Sequence, residues 1–255
     1  SEARGGWASR LLAPLERAFP SVAPIEVTTT HGPVVGTYLG TVRCFRGVPY
    51  GASTSGDGRF APPRPPAPWT EPRTCTRDGQ AAPQNPSILE TSLGSGGLEV
   101  GEDCLWLNVF SPDLDGSAPV MVWFHGGGFE TGTPAMTWYD GTRLTDRGVV
   151  VVTVAYRLGA SGYLHLPGQP GSGCWGLMDQ VAALEWVRDN AAAFGGEPGR
   201  VTVFGESAGA MSIGALLAMP AARGLFHRAI LQSGAAQHVL TPENAARIGG
   251  HLADA

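Results

Sequence analysis

A serine with a glycine two residues to either side, in the run Gly205-Glu206-Ser207-Ala208-Gly209, follows the apolar stretch VTVF and precedes the small, apolar run Ala208 to Met219. Strand, sharp turn and helix in that order make a nucleophile elbow. The turn is so tight that side chains two positions before and after the serine would collide with their neighbours. Glycine at 205 and 209 removes that collision. Ser207 is then presented at the carboxyl edge of a sheet and at a helix N-terminus, where the helix dipole favours developing negative charge. The bland reading of the same five residues is a glycine turn with a capping serine. A second cluster, His125-Gly126-Gly127-Gly128, directly follows the apolar stretch VMVWF. Acyl transfer puts negative charge on a former carbonyl oxygen, and backbone N–H groups aimed at that point contribute several kcal/mol. Successive glycines expose such groups with no side chain in the way. The amides of Gly126, Gly127 and Ala208 are the expected donors, with His125 bracing the loop. A dinucleotide-binding loop would instead need GxGxxG opening a helix and an acid about 20 residues further on, and FETGTP opens no convincing helix.

These two clusters need a scaffold that brings strand ends together. Ile25 to Thr30 and Thr41 to Val48 read as strands of an antiparallel N-terminal meander, and the alternating Leu105 to Phe110 reads as another. Val120 to Phe124 and Val149 to Val154 are continuously apolar and rich in valine, the pattern of strands buried on both faces of a parallel sheet. Between them and the elbow, Leu177, Val181, Leu184, Trp186 and Val187 form one stripe of a helix over Gly176 to Phe194. Val201 to Phe204 and Ala229 to Gln232 read as short buried strands on either side of the helix that follows the elbow. This alternation predicts an α/β fold with a mostly parallel central sheet and helices on both faces. Residues 1–255 are expected to form one such domain, with 1–24 as an N-terminal extension. The proline-dense run Gly56 to Trp69 cannot join a helix or a central strand and should wrap the surface as an extended strap.

Composition narrows the chemistry. The 255 residues are 43% hydrophobic and 15% charged, enough apolar material for one large core. All 17 basic residues are arginine. A chain without lysine is excluded from Schiff-base catalysis, P-loop phosphate binding and serine–lysine dyads. The net charge of −5 with no basic cluster argues against a nucleic-acid partner, and no apolar run reaches the length of a membrane span. Cys44, Cys75, Cys104 and Cys174 form no CxxC pair, so no zinc site or other metal is expected, and Cys44 reads as a buried small hydrophobe.

HGGGF, EDCLWLNVF, VAYRLGASGYL, GLMDQVAALEWVRDNAAAFGG, RVTVFGESAGA and LFHRAILQSG occur in that order between about residues 25 and 235. Together they resemble the N-terminal half of the type-B carboxylesterases, α/β-hydrolases that include the cholinesterases. The resemblance implies hydrolysis of a small-molecule carboxylic ester through an acyl-serine, with no cofactor. It implies that Cys75 and Cys104 are bridged, a loop closure contributing roughly 3–4 kcal/mol. It also implies structural ion pairs Arg59–Glu102 and Arg157–Asp179, and a pocket-lining, histidine-tuning role for Glu206. Two positions depart from the family, which usually has asparagine where Ala155 and Cys174 stand.

Ser207 needs a base, and the base needs an orienting carboxylate. In α/β-hydrolases both follow the serine in the chain, and the resembling family is about twice as long. His227 lies in a structural family segment, and His238 and His251 have no motif context. The acid and histidine are therefore expected beyond residue 255, supplied by the C-terminal half of the enzyme as a second polypeptide. A bridged Cys75–Cys104 would favour a secreted or periplasmic location; the alternative is cytoplasmic. Neutral esters are the expected substrates, because Thr76 to Asp103 contains no aromatic residue to hold a choline headgroup. The alternatives are a catalytically inactive adhesion or binding module, and a lipase or peptidase on the same scaffold.

Overall fold

The computed structural model describes residues 24–86, 99–236 and 239–253, so the expected N-terminal extension lies, apart from Pro24, outside the described residues. The apolar runs become strands β1 (Ile25–Thr28), β2 (Pro33–Leu39), β3 (Val42–Pro49), β4 (Arg73–Thr74), β5 (Trp106–Ser111), β6 (Ala118–Phe124), β7 (Val150–Val154), β8 (Gly196–Glu206) and β9 (Arg228–Gln232). The sheet order is β1-β2-β3-β5-β7-β6-β8-β9, with β4 added beside β2. From β1 through β3 and β5 to β7 the neighbours run antiparallel, and β7, β6, β8 and β9 run parallel. This is the α/β-hydrolase arrangement, a mixed, mostly parallel sheet behind an antiparallel meander.

Two strands exceed what the apolar pattern marks. β2 opens with a proline and is interrupted by Gly36, where a Cβ would stand 2.6 Å from both the Cys44 carbonyl oxygen and the Phe45 ring. That close backbone approach requires glycine and hides the strand from a pattern search. β8 begins five residues before Val201, because Gly196 pairs with Ala118 through polar sequence.

The valines of the central strands divide by parity between the two sheet faces. Val120, Val122, Phe124, Val150, Val152, Val154, Val201 and Val203 enter the main core. There they meet α3 (Trp175–Asn190) and α4 (Ala208–Leu216), through Val181, Leu184, Val187 and Ile213. Each such side chain contributes about 1.5–3 kcal/mol by leaving water. On the opposite face Val42, Cys44, Phe110 and Val151 form a smaller cluster beside the short helix α1 (Thr142–Thr145). Helices α2 (Gly159–Tyr163) and α5 (Pro242–Ala253) complete the described set.

After a short turn at Gly56–Gly58 the proline strap runs extended over the surface. It is pinned where Arg157 donates to the Ala61 carbonyl at 2.7 Å and where the Trp69 indole donates to Pro33 at 2.8 Å. At the other end of the sheet β9 pairs only with β8 among the described residues, and Ile230 on it is 46% exposed. An apolar strand edge of this kind is a template for further pairing.

Candidate active site

Ser207 adopts φ 53° and ψ −119°, a conformation that costs a non-glycine residue about 1–3 kcal/mol. Its surroundings hold it there. The Ser207 amide donates to the Gln232 carbonyl at the end of β9 (2.8 Å), and the Ser207 carbonyl accepts from Met211 in the first turn of α4 (2.9 Å). A Cβ on Gly205 would stand 2.7 Å from the Gly209 carbonyl carbon, and one on Gly209 would lie 2.0 Å from the Phe124 oxygen. Both elbow glycines are thus required by backbone contact. The Ser207 hydroxyl has no hydrogen-bond partner among the described residues.

The glycine loop after β6 passes directly beside this serine. A Cβ on Gly126 would be 3.2 Å from the Ser207 Cβ and 2.7 Å from Glu206 Oε2. Gly127 takes φ +114°, with its carbonyl accepting from the amides of Glu130 (3.1 Å) and Thr131 (3.0 Å) in a tight turn. The amides of Gly126 and Gly127 donate to no acceptor among the described residues. Ala208, the first residue of α4, likewise has no acceptor within its helix. The far end of the loop is fastened where Gly159 donates to the Phe129 carbonyl at 2.6 Å and the Phe129 ring meets Tyr163 edge-on.

His125 lies beneath the loop, fully buried. Its Nδ1 is 2.8 Å from the Gly126 carbonyl, so that nitrogen carries the proton. Burial lowers the imidazole pKa to about 4, against the pull of the Gly126 bond, which keeps the ring neutral near pH 7. Gly132 packs against this bond, since a Cβ there would be 2.4 Å from His125 Nδ1. Gln84 in turn holds Gly132: its Oε1 accepts from the Gly132 amide at 2.8 Å and its Nε2 donates to the Gly132 carbonyl at 3.0 Å. Neither Gln84, Gly132 nor Tyr156 stands out in the sequence. Tyr156 is two residues beyond the end of β7, and Gln84 sits in a loop without a motif.

None of the other described histidine rings is bonded to Ser207. The His227 ring accepts from the Val201 amide (3.2 Å), His165 is paired with Ser172 and His31 with Thr30. His251 is exposed on α5, and His238 lies outside the described residues. Glu206 is half-buried against Gly126.

The Cys75–Cys104 bridge is not present, and both are buried free thiols. Each is built into the wall of the meander as a thiol. Cys75 continues β4, its amide donating to Val35 and its carbonyl accepting from Arg46. Cys104 is fully buried beside Leu105, next to the segment where the Thr54 hydroxyl donates to the Glu102 carbonyl at 2.8 Å. Burial pushes the two thiols up to about 11 and about 12. The secreted or periplasmic location had rested on that bridge. Cys44 is also free and fully buried.

Arg59 meets Glu102 through two bonds, 2.7 and 2.6 Å, on an exposed surface. Arg157 and Asp179 form a fully buried fork of 2.8 and 2.6 Å, and the Arg157 amide adds a third bond to the same carboxylate. Ala155 is buried, its carbonyl accepting from the Tyr50 hydroxyl at 2.6 Å. Cys174 is exposed and caps α3 without a side-chain hydrogen bond. Among the described residues no cluster of His, Cys, Asp or Glu could hold a metal, and no helix is long and apolar enough to cross a membrane.

Residues 23–255 match the model of the carboxylesterase family. The chain is 49% identical over 224 residues to the para-nitrobenzyl esterase of Bacillus subtilis, covering 86% of this chain and 45% of that protein. It is 44% identical to carboxylesterase 1C of Rattus norvegicus, over 89% of this chain and 44% of that one. A thermophilic para-nitrobenzyl esterase superposes with a TM-score of 0.85 at 45% identity, covering 90% of this chain and 48% of its own. The chain therefore spans less than half the length of the relatives it matches. Those relatives are single chains, which removes the ground for expecting a separate second polypeptide. With the matched family model spanning the elbow and the glycine loop alike, the chain belongs to the carboxylesterase family.

Proposed function

We propose that the protein is a serine ester hydrolase acting on neutral carboxylic esters through an acyl-enzyme. The observation that carries this reading is Ser207 itself, strained at φ 53°, with an uncommitted hydroxyl beside the free amides of the Gly126–Gly127 loop. Strain of that kind persists only where the surroundings over-determine it, and it gathers at reacting centres. Ser207 Oγ bonds to the ester carbonyl carbon as its proton passes to a histidine. The carbonyl oxygen becomes an oxyanion held by the N–H groups of Gly126, Gly127 and Ala208. The C–O bond to the alcohol then breaks, and the histidine returns the proton to the leaving alkoxide. Water repeats the sequence on the acyl-serine and releases the carboxylic acid. No cofactor enters this chemistry.

The described histidines are committed elsewhere or exposed, which supports a base and an orienting acid outside residues 1–255, within the same polypeptide. Glu206, packed against Gly126 beside the serine, lines the pocket and tunes that histidine. Ser207→Ala tests the reading, and hydrolysis of a 4-nitrophenyl acyl ester should fall by roughly 10⁴-fold or more. Retained turnover in that variant would overturn it.

A further inference from the structure

We infer that Gln84 is a positioning residue for the oxyanion loop, acting through Gly132 and His125. This rests on the esterase reading above and adds a residue from a different part of the chain to it. The side-chain amide of Gln84 engages both polar groups of one residue, accepting from the Gly132 N–H at 2.8 Å and donating to the Gly132 C=O at 3.0 Å. This is the pairing a neighbouring strand would offer, delivered by a side chain 48 positions away in sequence. A second bond from Nε2 to the Ala82 carbonyl, also 3.0 Å, fixes the amide's own orientation. The partners leave no freedom in which end is nitrogen and which is oxygen, since each faces only its complement.

Gly132 is the residue through which this grip reaches the loop. It is buried, sits at φ +116°, and has no room for a Cβ because His125 Nδ1 and the Gly126 carbonyl would lie 2.4 and 2.6 Å away. The Gly132 backbone is therefore packed on the His125–Gly126 hydrogen bond, the bond that sets the direction of the peptide between Gly126 and Gly127. The Gly127 amide belongs to that peptide, so rotation of the Gly126 carbonyl turns an oxyanion donor. Gln84 ties the segment after β4 to this arrangement, and without it Gly132 has neither its donor nor its acceptor satisfied among the described residues.

The experiment compares Gln84→Ala and Gln84→Glu with the wild-type protein, measuring kcat and KM for a neutral ester, affinity for a trifluoromethyl ketone that forms an oxyanion, and thermal midpoint. Gln84→Ala should lower kcat and ketone affinity together by ~10-fold, a fraction of what loss of a whole oxyanion donor costs, with KM unchanged. Gln84→Glu keeps the acceptor for the Gly132 amide but turns a charged oxygen toward two carbonyls. Its activity relative to wild type at the same pH should rise as the pH is lowered and the carboxyl becomes a donor again. Normal kcat and ketone affinity in Gln84→Ala would overturn the inference, as would a loss confined to KM or to thermal stability. Ser207→Ala, run alongside, keeps the outcomes separable: if that variant stays active, the esterase reading fails whatever Gln84 does.

Discussion

The imidazole of His125 stacks on the phenol of Tyr156, ring centroids 4.4 Å apart and 19° from parallel, and the Tyr156 hydroxyl donates to the His125 carbonyl at 2.6 Å. One aromatic side chain thus clamps both the ring and the backbone of the residue that opens the glycine loop. The cost of this burial is a histidine that resists protonation. Its folded pKa, about 4, lies below the ordinary 6.5, so the unfolded chain binds the extra proton first as pH falls. The contribution is fully present above pH 6.5 and is lost progressively as pH falls through 4. Between pH 7 and pH 5 it should remove about 2 kcal/mol of unfolding free energy. His125→Gln should flatten that part of the stability profile, measured by urea unfolding at several pH values. An identical slope in the variant would show that another group titrates.

The Arg157–Asp179 fork is buried on both sides, and Arg157 also holds the strap at Ala61. Burial works against both charges. It raises the Asp179 carboxyl above its ordinary value despite Arg157; on Arg157 burial lowers, but Asp179 together with Tyr50 and Cys104 outweighs it and leaves the guanidinium raised. Asp179→Asn strands a buried guanidinium and should cost about 3–5 kcal/mol of stability. Limited proteolysis should also reach the segment between Gly56 and Trp69 sooner in this variant. Unchanged thermal and proteolytic profiles would count against a structural role for the pair.

Cys174 stands at the N-cap of α3 and offers its helix no side-chain acceptor. Asparagine there can accept from the amides of the first turn, which have no acceptor within the helix. Cys174→Asn should stabilise the protein by about 1 kcal/mol, read as a higher thermal midpoint with ester turnover unchanged. An unchanged or lower midpoint would mean that the cap geometry does not admit the bond.

The segment Thr76 to Asp103 carries no aromatic ring that could face a quaternary ammonium. Steady-state comparison of an acylcholine with its uncharged isostere should give kcat/KM at least as high for the uncharged ester. A marked preference for the choline ester would require a cation site elsewhere in the protein.

Most of the scaffold is legible in the sequence because its strands announce themselves. Val150–Val154 is valine at every position but Thr153 and buried at every position, as a central parallel strand must be. β2 is not legible, since Gly36 answers to a contact with Phe45 that only the folded sheet creates. At the site, local chemistry is readable and long-range chemistry is not. Gly205 and Gly209 are dictated by a turn five residues long, so their spacing is visible. The grip of Gln84 on Gly132 spans 48 residues and uses a side chain common in loops, so nothing local marks it. The cysteines show the reverse error, in which a family position suggested a bridge where Cys75 and Cys104 are each packed as thiols.

Reaction of the protein with a fluorophosphonate, followed by mass spectrometry of its peptides, tests the central claim at the atom concerned. An activated serine oxygen attacks phosphorus and keeps it, whereas a serine that merely caps a helix does not. The predicted result is a single stoichiometric adduct on Ser207, appearing in step with the loss of ester hydrolysis and absent from Ser207→Ala. Full inhibition with Ser207 unmodified, or hydrolysis that continues once Ser207 is replaced, would contradict it.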